Sequence, residues 1–453
     1  MTLESKIAIL EAQIISQREQ IAALEEKVLL LLKVIEQQKI KKDSHNSHNP
    51  PSQDKYKSRR NSKSLRPKST RKSGGQPGHV GFTHLQTDEP DEIHLLKSNY
   101  CTVCGEDLQS LPHHLVSKRQ VVDIPPIRPV YIEYQLQECC CPCGHTQRAE
   151  YPQNVTAPIQ FGSQIVALVS YFNIYQYVPY ARLKQLFKDV FQLSVSEGSI
   201  ENLLKKAAAK AAPVYQTIFE NIKTATYLGA DETGAKVNGK KWWIWVWQNV
   251  KNTFLSASDN RGFDTIEALF PEGLPQATIG SDRWAAQLKV KSKAKQLCFP
   301  HLQRDLIFLE EKEKVDWATQ FKQLLKQALN LRLQALERNY PFQQDEEEII
   351  NLEHQLNQLL AIPILKKDFP LTLTFQKAMI KNRNHLFTCL FDLEVPPDNN
   401  ASERAVRNVK VKQKISGQFK SGQDTFCTLR SIIDTLRKRE LDVLFFLKKI
   451  MAV

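Results

Sequence analysis

The sequence predicts a multidomain α/β protein, with a mixed-sheet core split by a helical insertion and preceded by a coiled coil and a small cysteine-rich ribbon. Three observations predict it. The first forty residues repeat apolar side chains every seven positions. Two CxxC knuckles follow within some forty residues of one another. After them, short runs rich in aromatic and β-branched residues end on acids, and a long stretch of helical periodicity separates these runs from a further acid near the C-terminus.

The bulk composition bounds the reading. A chain of 453 residues is too long for one ordinary domain, and its 42% hydrophobic content suffices for real cores. Lysine and arginine outnumber aspartate and glutamate by 62 to 49, a net charge of +13 that favours a polyanionic partner. No apolar run reaches the roughly 18 residues needed to cross a bilayer. The N-terminus, with Glu4 and Lys6, lacks the apolar core of a signal peptide, so a cytoplasmic, nucleoid-associated location is expected. Six of the nine cysteines crowd between Cys101 and Cys143, which in a reducing compartment points to metal rather than disulfides.

We divide the chain into 1–40, coiled coil; 41–83, basic linker; 84–155, cysteine ribbon; 156–223, helical region; 224–302, first part of the core; 303–395, helical insertion; and 396–453, last part of the core. In the first segment Ile7, Ile14, Ile21, Val28 and Ile35 hold one heptad position, while Leu3, Leu10, Leu24 and Leu31 hold the other, with Gln17 and Gln38 as polar exceptions. β-Branched residues at one core position and leucine at the other favour a parallel two-stranded coil, so a homodimer or higher oligomer is expected. The plainer alternative is an amphipathic helix packed on its own protein.

The linker is too polar to fold alone. Between Lys55 and Lys72 it carries nine basic residues and no acid, and Arg59, Arg60, Lys63, Arg66, Lys68, Arg71 and Lys72 are expected to contact DNA phosphates. A solvated basic tail is the alternative. Cys101, Cys104, Cys140 and Cys143 offer four thiolates for a structural Zn²⁺ with no open position for catalysis. Cys139, Cys141, His113, His114 and His145 lie close enough in sequence to leave the ligand choice open. Strand-like alternation at Val130, Ile132 and Tyr134 fills the space between the knuckles.

Helices are expected over Pro179 to Phe191 and Ser196 to Ala212, joined by a short turn at Gln192 to Ser194. Such a pair resembles a helix-turn-helix whose second helix, with Lys205, Lys206 and Lys210, would enter a DNA groove. Two helices packed for structural reasons are the commoner case.

In the core, Thr224 to Ala230 reads as a strand ending on Asp231; Lys240 to Val250, with Trp242, Trp243, Trp245 and Trp247, as a second after the turn at Asn238 and Gly239; and Thr253 to Ala257 as a third. A helix near Phe263 to Phe270 precedes a strand at Ala277 to Gly280, which ends on Ser281 and Asp282, and another follows at Gln296 to Phe299. Three antiparallel strands, then helix, strand and strand, is the arrangement of a ribonuclease H-like fold, in which the first and fourth strands are neighbours. The third acid should arrive on a helix starting after Pro396 and Pro397, which makes Glu403 the candidate. Glu403 has a bland reading as well, as the N3 partner of Asn400 in a capping box. Three carboxylates in this order are what two-metal phosphoryl chemistry needs, and hard oxygen ligands suit two Mg²⁺ ions, with Mn²⁺ as the alternative. Arg404, Arg407, Lys410, Lys412 and Lys414 follow closely and are expected to bind DNA phosphates.

These residues also carry a resemblance. GGQPGH from Gly74, the CxxC pairs, GADETG from Gly229 followed by WWIWVW, SDRWAA from Ser281, CFPHLQRDL from Cys298 and PDNNASERAVRNVKVKQKISG from Pro397 resemble the IS66 group of bacterial insertion-sequence transposases. The resemblance implies a DDE transposase acting on double-stranded DNA at element ends and target, with Asp231, Asp282 and Glu403 as catalytic metal ligands, a zinc-binding segment before the core, and accessory transposition proteins as partners. Arg283 and Trp284 depart from the pattern, standing where Gly and Tyr often follow the second acid. Cys298 and His301 form a CxxH for which packing or DNA contact is the expectation, and the insertion reads as scaffold. The alternative to an enzyme is a non-catalytic zinc-containing DNA-binding protein derived from a transposase.

Overall fold

The computed structural model describes residues 3–39, 42–43, 46–47, 74–81 and 83–452. The chain forms two compact units, one of Met1–Leu65, Tyr134–Gln185 and Val195–Val453, the other of Arg66–Glu133 and Leu186–Ser194. The basic-linker residues Arg59, Arg60, Lys63, Arg66, Lys68, Arg71 and Lys72 lie outside the described residues.

Helix α1 (Leu3–Lys39) runs without interruption. Along its middle Ile14, Ile21, Leu24, Val28 and Leu31 remain about half exposed, so a single chain leaves these heptad positions uncovered. A hairpin of β1 (Glu138–Cys140) and β2 (Thr146–Arg148) pairs Glu138 with Arg148, whose side chains form an ion pair at 2.8 Å. Among the described residues no strand spans Val130 and Ile132, contrary to the alternation there; both side chains are largely exposed, and without a partner face alternation alone does not make a strand.

Helices α2 (Ser163–Ser170), α3 (Tyr180–Phe191) and α4 (Glu197–Lys223) follow. The Ser196 hydroxyl caps α4 by accepting the Ser199 N–H at 3.0 Å. The expected end at Ala212 is overrun by eleven residues despite Pro213, because Ile218 and Ile222 continue the buried stripe of Ile200, Leu204 and Ala211. Burial of that stripe offsets the helix-breaking cost of proline. Of the lysines expected to give α4 a basic surface, Lys205 pairs with Glu201 and Lys210 donates to the Met451 carbonyl.

The main sheet has five strands, β3 (Tyr227–Val237), β4 (Lys240–Gln248), β5 (Thr253–Ser258), β6 (Leu274–Ser281) and β7 (Ser292–Leu297), in the order β5-β4-β3-β6-β7. The first three are antiparallel; β6 runs parallel to β3, and β7 parallel to β6. Asn238 and Gly239, both at positive φ, make the two-residue turn between β3 and β4. Strand β4 lies between two partners, and Ile244, Trp245, Val246 and Trp247 are all fully buried, which accounts for its unbroken apolar run. Short helices α5 (Phe263–Leu269) and α6 (Ala285–Lys289) connect the strands.

The insertion consists of α7 (Phe299–Glu313), α8 (Asp316–Glu337), α9 (Glu347–Ala361), α10 (Pro370–Lys381) and α11 (Thr388–Phe391). Its core, built around Trp317, Phe321, Leu352 and Met379, is continuous with Tyr227 and Leu297 of the sheet. Helices α12 (Asn400–Ser416), α13 (Gln423–Lys438) and α14 (Val443–Ala452) complete the chain. The Ser431 and Thr435 hydroxyls of α13 accept backbone N–H groups of Leu255 and Thr253, covering the edge strand β5. Among the described residues no helix is long and apolar enough to cross a membrane.

Candidate active site

Asp231 does not end its strand as expected but sits in the first half of β3. Its placement follows from the pairing: β6 accompanies β3 only from Tyr227 to Gly229, while β4 pairs with β3 along its length from Gly229. Asp231 therefore lies just beyond the point where β6 stops, and Asp282 follows the last residue of β6. The two acids meet where the parallel strands part, a common place for ligands in sheets of this kind. The turn after Asp282 is tight enough to hold Arg283 at φ +65, where glycine would be unstrained. The Arg283 guanidinium is fixed there by Asp305 at 2.5 Å and by the Phe375 ring.

Glu403 reaches the same place from α12, whose start is locked to β3. Asn399 is the N-cap, and its Nδ2 donates to the Ala230 carbonyl at 2.7 Å, while its own N–H points at Cys298 Sγ at 3.3 Å. Gly229 makes this approach possible, since a Cβ there would lie 2.5 Å from Ser402 Oγ and 2.8 Å from Asn399 Oδ1. The capping-box reading is overturned. With Asn399 as cap and Asn400 as first helical residue, Glu403 sits one position beyond N3, and its carboxylate accepts a hydrogen bond from His301 Nε2 at 2.7 Å.

Asp231, Asp282 and Glu403 line one cleft of about 1180 Å³, together with His301, Arg304, Phe308 and Phe375 of the insertion. The insertion is thus a wall of the site as well as scaffold. Lys42 also faces the cleft, its ammonium 5.0 Å from the Phe308 ring centre. Burial, then the charges of Asp282 and Glu232, push the Asp231 carboxyl well above the usual range. The His301 hydrogen bond holds Glu403 down at about 2. Such a gathering of acids, one of them costly to ionise, would be relieved by a cation, and among the described residues the ligand atoms that lie within 4.8 Å of one another are those of Asp282, Cys298 and His301.

A fourth acid that sequence reasoning passed over, Glu232, is nearly buried and held by Arg261 at 2.6 Å and by Gln287 at 2.7 Å. Arg261 in turn lies between the Trp243 and Trp284 rings. Burial raises the Glu232 carboxyl above its ordinary value, and the Arg261 guanidinium opposes that rise. His301, for which packing or DNA contact is the sequence expectation, instead contacts two of the acids. Its Nδ1 lies 3.0 Å from Asp282 Oδ2, off the line of a straight hydrogen bond, so the ring stands between the second and third acids. The signal was the CxxH spacing, which on a helix start puts Cys298 and His301 one turn apart.

Among the expected phosphate contacts, Arg404, Arg407, Lys410 and Lys414 are exposed on α12, and Arg407 and Lys410 line the cleft. The Lys410 ammonium donates to the Gly234 carbonyl at 2.9 Å. Lys412 is a correction. It continues the buried stripe of Ala405 and Val409, and its ammonium turns inward toward Asn173 and the Tyr180 ring.

The two knuckles are each turned on a glycine at positive φ, Gly105 after Cys104 and Gly144 after Cys143. Backbone N–H groups of Cys104 and Val103 lower the Cys101 thiol below its ordinary value, and the N–H of His145 does the same for Cys143. Cys298 is the opposite case, a buried thiol pushed up by desolvation.

The family model described as "Transposase IS66 family" matches residues 158–425, more than half of the chain and all three acids. The fold and cleft therefore belong to a transposase, and the chain is a member of the IS66 family. A second model, for a family of unknown function, matches residues 3–84. No curated protein matches the chain.

Proposed function

We propose that this protein is a DDE transposase of an insertion sequence, whose core is ribonuclease H-like and whose catalytic residues are Asp231, Asp282 and Glu403. The observation that carries the proposal is their convergence in one cleft from the middle of β3, the end of β6 and the start of α12, segments far apart in sequence. The sheet order and the parting of β3 and β6 support the fold reading.

The donor set fits magnesium: three carboxylates, hard oxygen ligands, with Asp231 burdened by neighbouring charge. Asp231, Asp282 and Glu403 would hold two Mg²⁺ ions, whose charge would activate the attacking oxygen and stabilise the leaving oxygen of an in-line displacement. The three acids position the reacting phosphate, and Arg407 with Arg404 faces the strand that carries it. In the first step water attacks the phosphorus at the element end, the bond to the 3′-oxygen breaks, and a 3′-hydroxyl is released. That hydroxyl then attacks a target phosphodiester, forming one P–O bond as another breaks. No covalent protein intermediate is required, which agrees with a cleft whose lining, among the described residues, contains no serine or tyrosine.

Further parts of the reading concern assembly. The uncovered heptad positions of α1 support a coiled-coil dimer, the CxxC spacing of Cys101 with Cys104 and of Cys140 with Cys143 is read as structural zinc ligation, and the basic linker with the exposed face of α12 would contact double-stranded DNA. The test is cleavage and strand joining on end-bearing DNA with Mg²⁺. Asp231→Asn, Asp282→Asn and Glu403→Gln should each abolish both steps while DNA binding persists. Wild-type activity in all three would remove the site assignment, and cleavage without joining would make the protein a nuclease only.

A further inference from the structure

We infer that His301 is a positioning residue that sets the separation of Asp282 and Glu403 and so tunes the affinity of the site for a divalent cation. The inference rests on the carboxylate reading above and adds to it a residue that none of the three acids implies.

The imidazole touches both acids at once, Nε2 at 2.7 Å from Glu403 Oε1 and Nδ1 at 3.0 Å from Asp282 Oδ2. One oxygen of each carboxylate, Glu403 Oε1 and Asp282 Oδ2, is engaged in this way. The ring itself is only 7% exposed, so it cannot swing into solvent. Its backbone is fixed to both segments that carry the acids. The Cys298 N–H donates to the Ser281 carbonyl at 3.0 Å, beside Asp282, and the Phe299 N–H donates to the Pro397 carbonyl at 2.9 Å, just before α12. Cys298 Sγ accepts the Asn399 N–H. The first turn of α7 is therefore a clamp between the end of β6 and the start of α12, with His301 as its side-chain member. Arg304, the next basic group along α7, stays 3.6 Å from Glu403 and does not reach Asp282. Groups that orient metal-binding carboxylates in this manner change affinity or activity by about 10- to 100-fold when removed.

The experiment uses the full chain, its knuckles zinc-loaded, and Mn²⁺ as probe. Calorimetry should show Mn²⁺ affinity falling about 10- to 100-fold in His301→Ala and recovering in part in His301→Gln, whose amide can still donate to Glu403. In cleavage assays kcat should fall with KM for DNA unchanged. Pulsed electron resonance of the Mn²⁺-loaded protein should lack the coupling of a directly bonded imidazole nitrogen. Wild-type Mn²⁺ affinity in His301→Ala would overturn the inference, as would a directly bonded nitrogen that vanishes in that variant, which would make His301 a ligand. If Asp231→Asn, Asp282→Asn and Glu403→Gln also bound Mn²⁺ normally, the metal-site reading itself would fall.

Discussion

Replacing Gly229 by alanine tests how α12 is delivered to the sheet. The added methyl would lie 2.5 Å from Ser402 Oγ, 2.6 Å from Gln248 Nε2 and 2.8 Å from Asn399 Oδ1. All three side chains are buried, so none can yield toward solvent. Gly229 has ordinary strand geometry, and alanine alone would therefore gain about 0.5–1 kcal/mol from reduced chain entropy. Against this stand roughly 1–3 kcal/mol for overpacking and about 1 kcal/mol if the Asn399 bond to Ala230 breaks. A net loss of about 1–3 kcal/mol is expected, read as a lower midpoint in urea with the slope unchanged. The larger effect should be on catalysis, because shifting the start of α12 by about 1 Å moves Glu403 away from Asp231 and can cost on the order of 100-fold in rate. Gly234→Ala on the same strand is the control, since its methyl would meet only the Trp243 ring at 3.7 Å. If Gly229→Ala were as stable and active as wild type, or Gly234→Ala equally damaged, close packing of α12 on β3 would not be what places Glu403.

Other outcomes follow from the charges. Asp231 is pushed up in the folded chain, so its ionisation opposes folding at any pH above the unfolded carboxyl value of about 3.9. In chelator-treated protein Asp231→Asn should thus be more stable than wild type at neutral pH by urea unfolding, with the advantage gone below about pH 4; saturating Mg²⁺ should narrow or reverse the order. Lys412, held down at about 8 by burial, costs stability below that pH and nothing above about 10.5; the drop corresponds to roughly 3 kcal/mol at about 1.4 kcal/mol per pH unit. Lys412→Met should accordingly stabilise the protein at pH 7 while leaving DNA affinity unchanged, whereas Lys414→Met should flatten the salt dependence of DNA binding without altering the unfolding midpoint. Elemental analysis should find about one zinc per chain, lost in Cys101→Ser and in Cys143→Ser. Full zinc retention in both variants would exclude the four-cysteine site.

The three acids were legible because each is marked by local chemistry: strand-forming residues before Asp231 and Asp282, and the Pro-Pro-Asp-Asn-Asn helix start before Glu403. What local pattern does not carry is pairing. Nothing in the sequence shows that β3 continues past Asp231 along β4 after β6 has left it, so the strand end was misplaced. The capping-box pattern was real as a pattern, but the helix begins one residue earlier than it requires, with Asn399 rather than Asn400 as its cap, freeing the carboxylate for His301. Lys412 looked like its basic neighbours, and only the α12 stripe of Ala405 and Val409 shows that it faces inward. The part played by α7 and α10 in the cleft arises from packing between segments remote in sequence, which residue spacing does not encode.

The order in which the site's parts leave the ribosome has its own consequence. Asp231 and Asp282 can meet as soon as the sheet forms, but Glu403 follows only after the whole insertion, whose core is shared with Tyr227 and Leu297. A nascent or truncated chain ending within the insertion would carry α1, the knuckles and the sheet strands yet lack α12 and with it Glu403. On the function proposed above, synthesis itself would act as a safety catch, because the third acid arrives only after the whole insertion has been made.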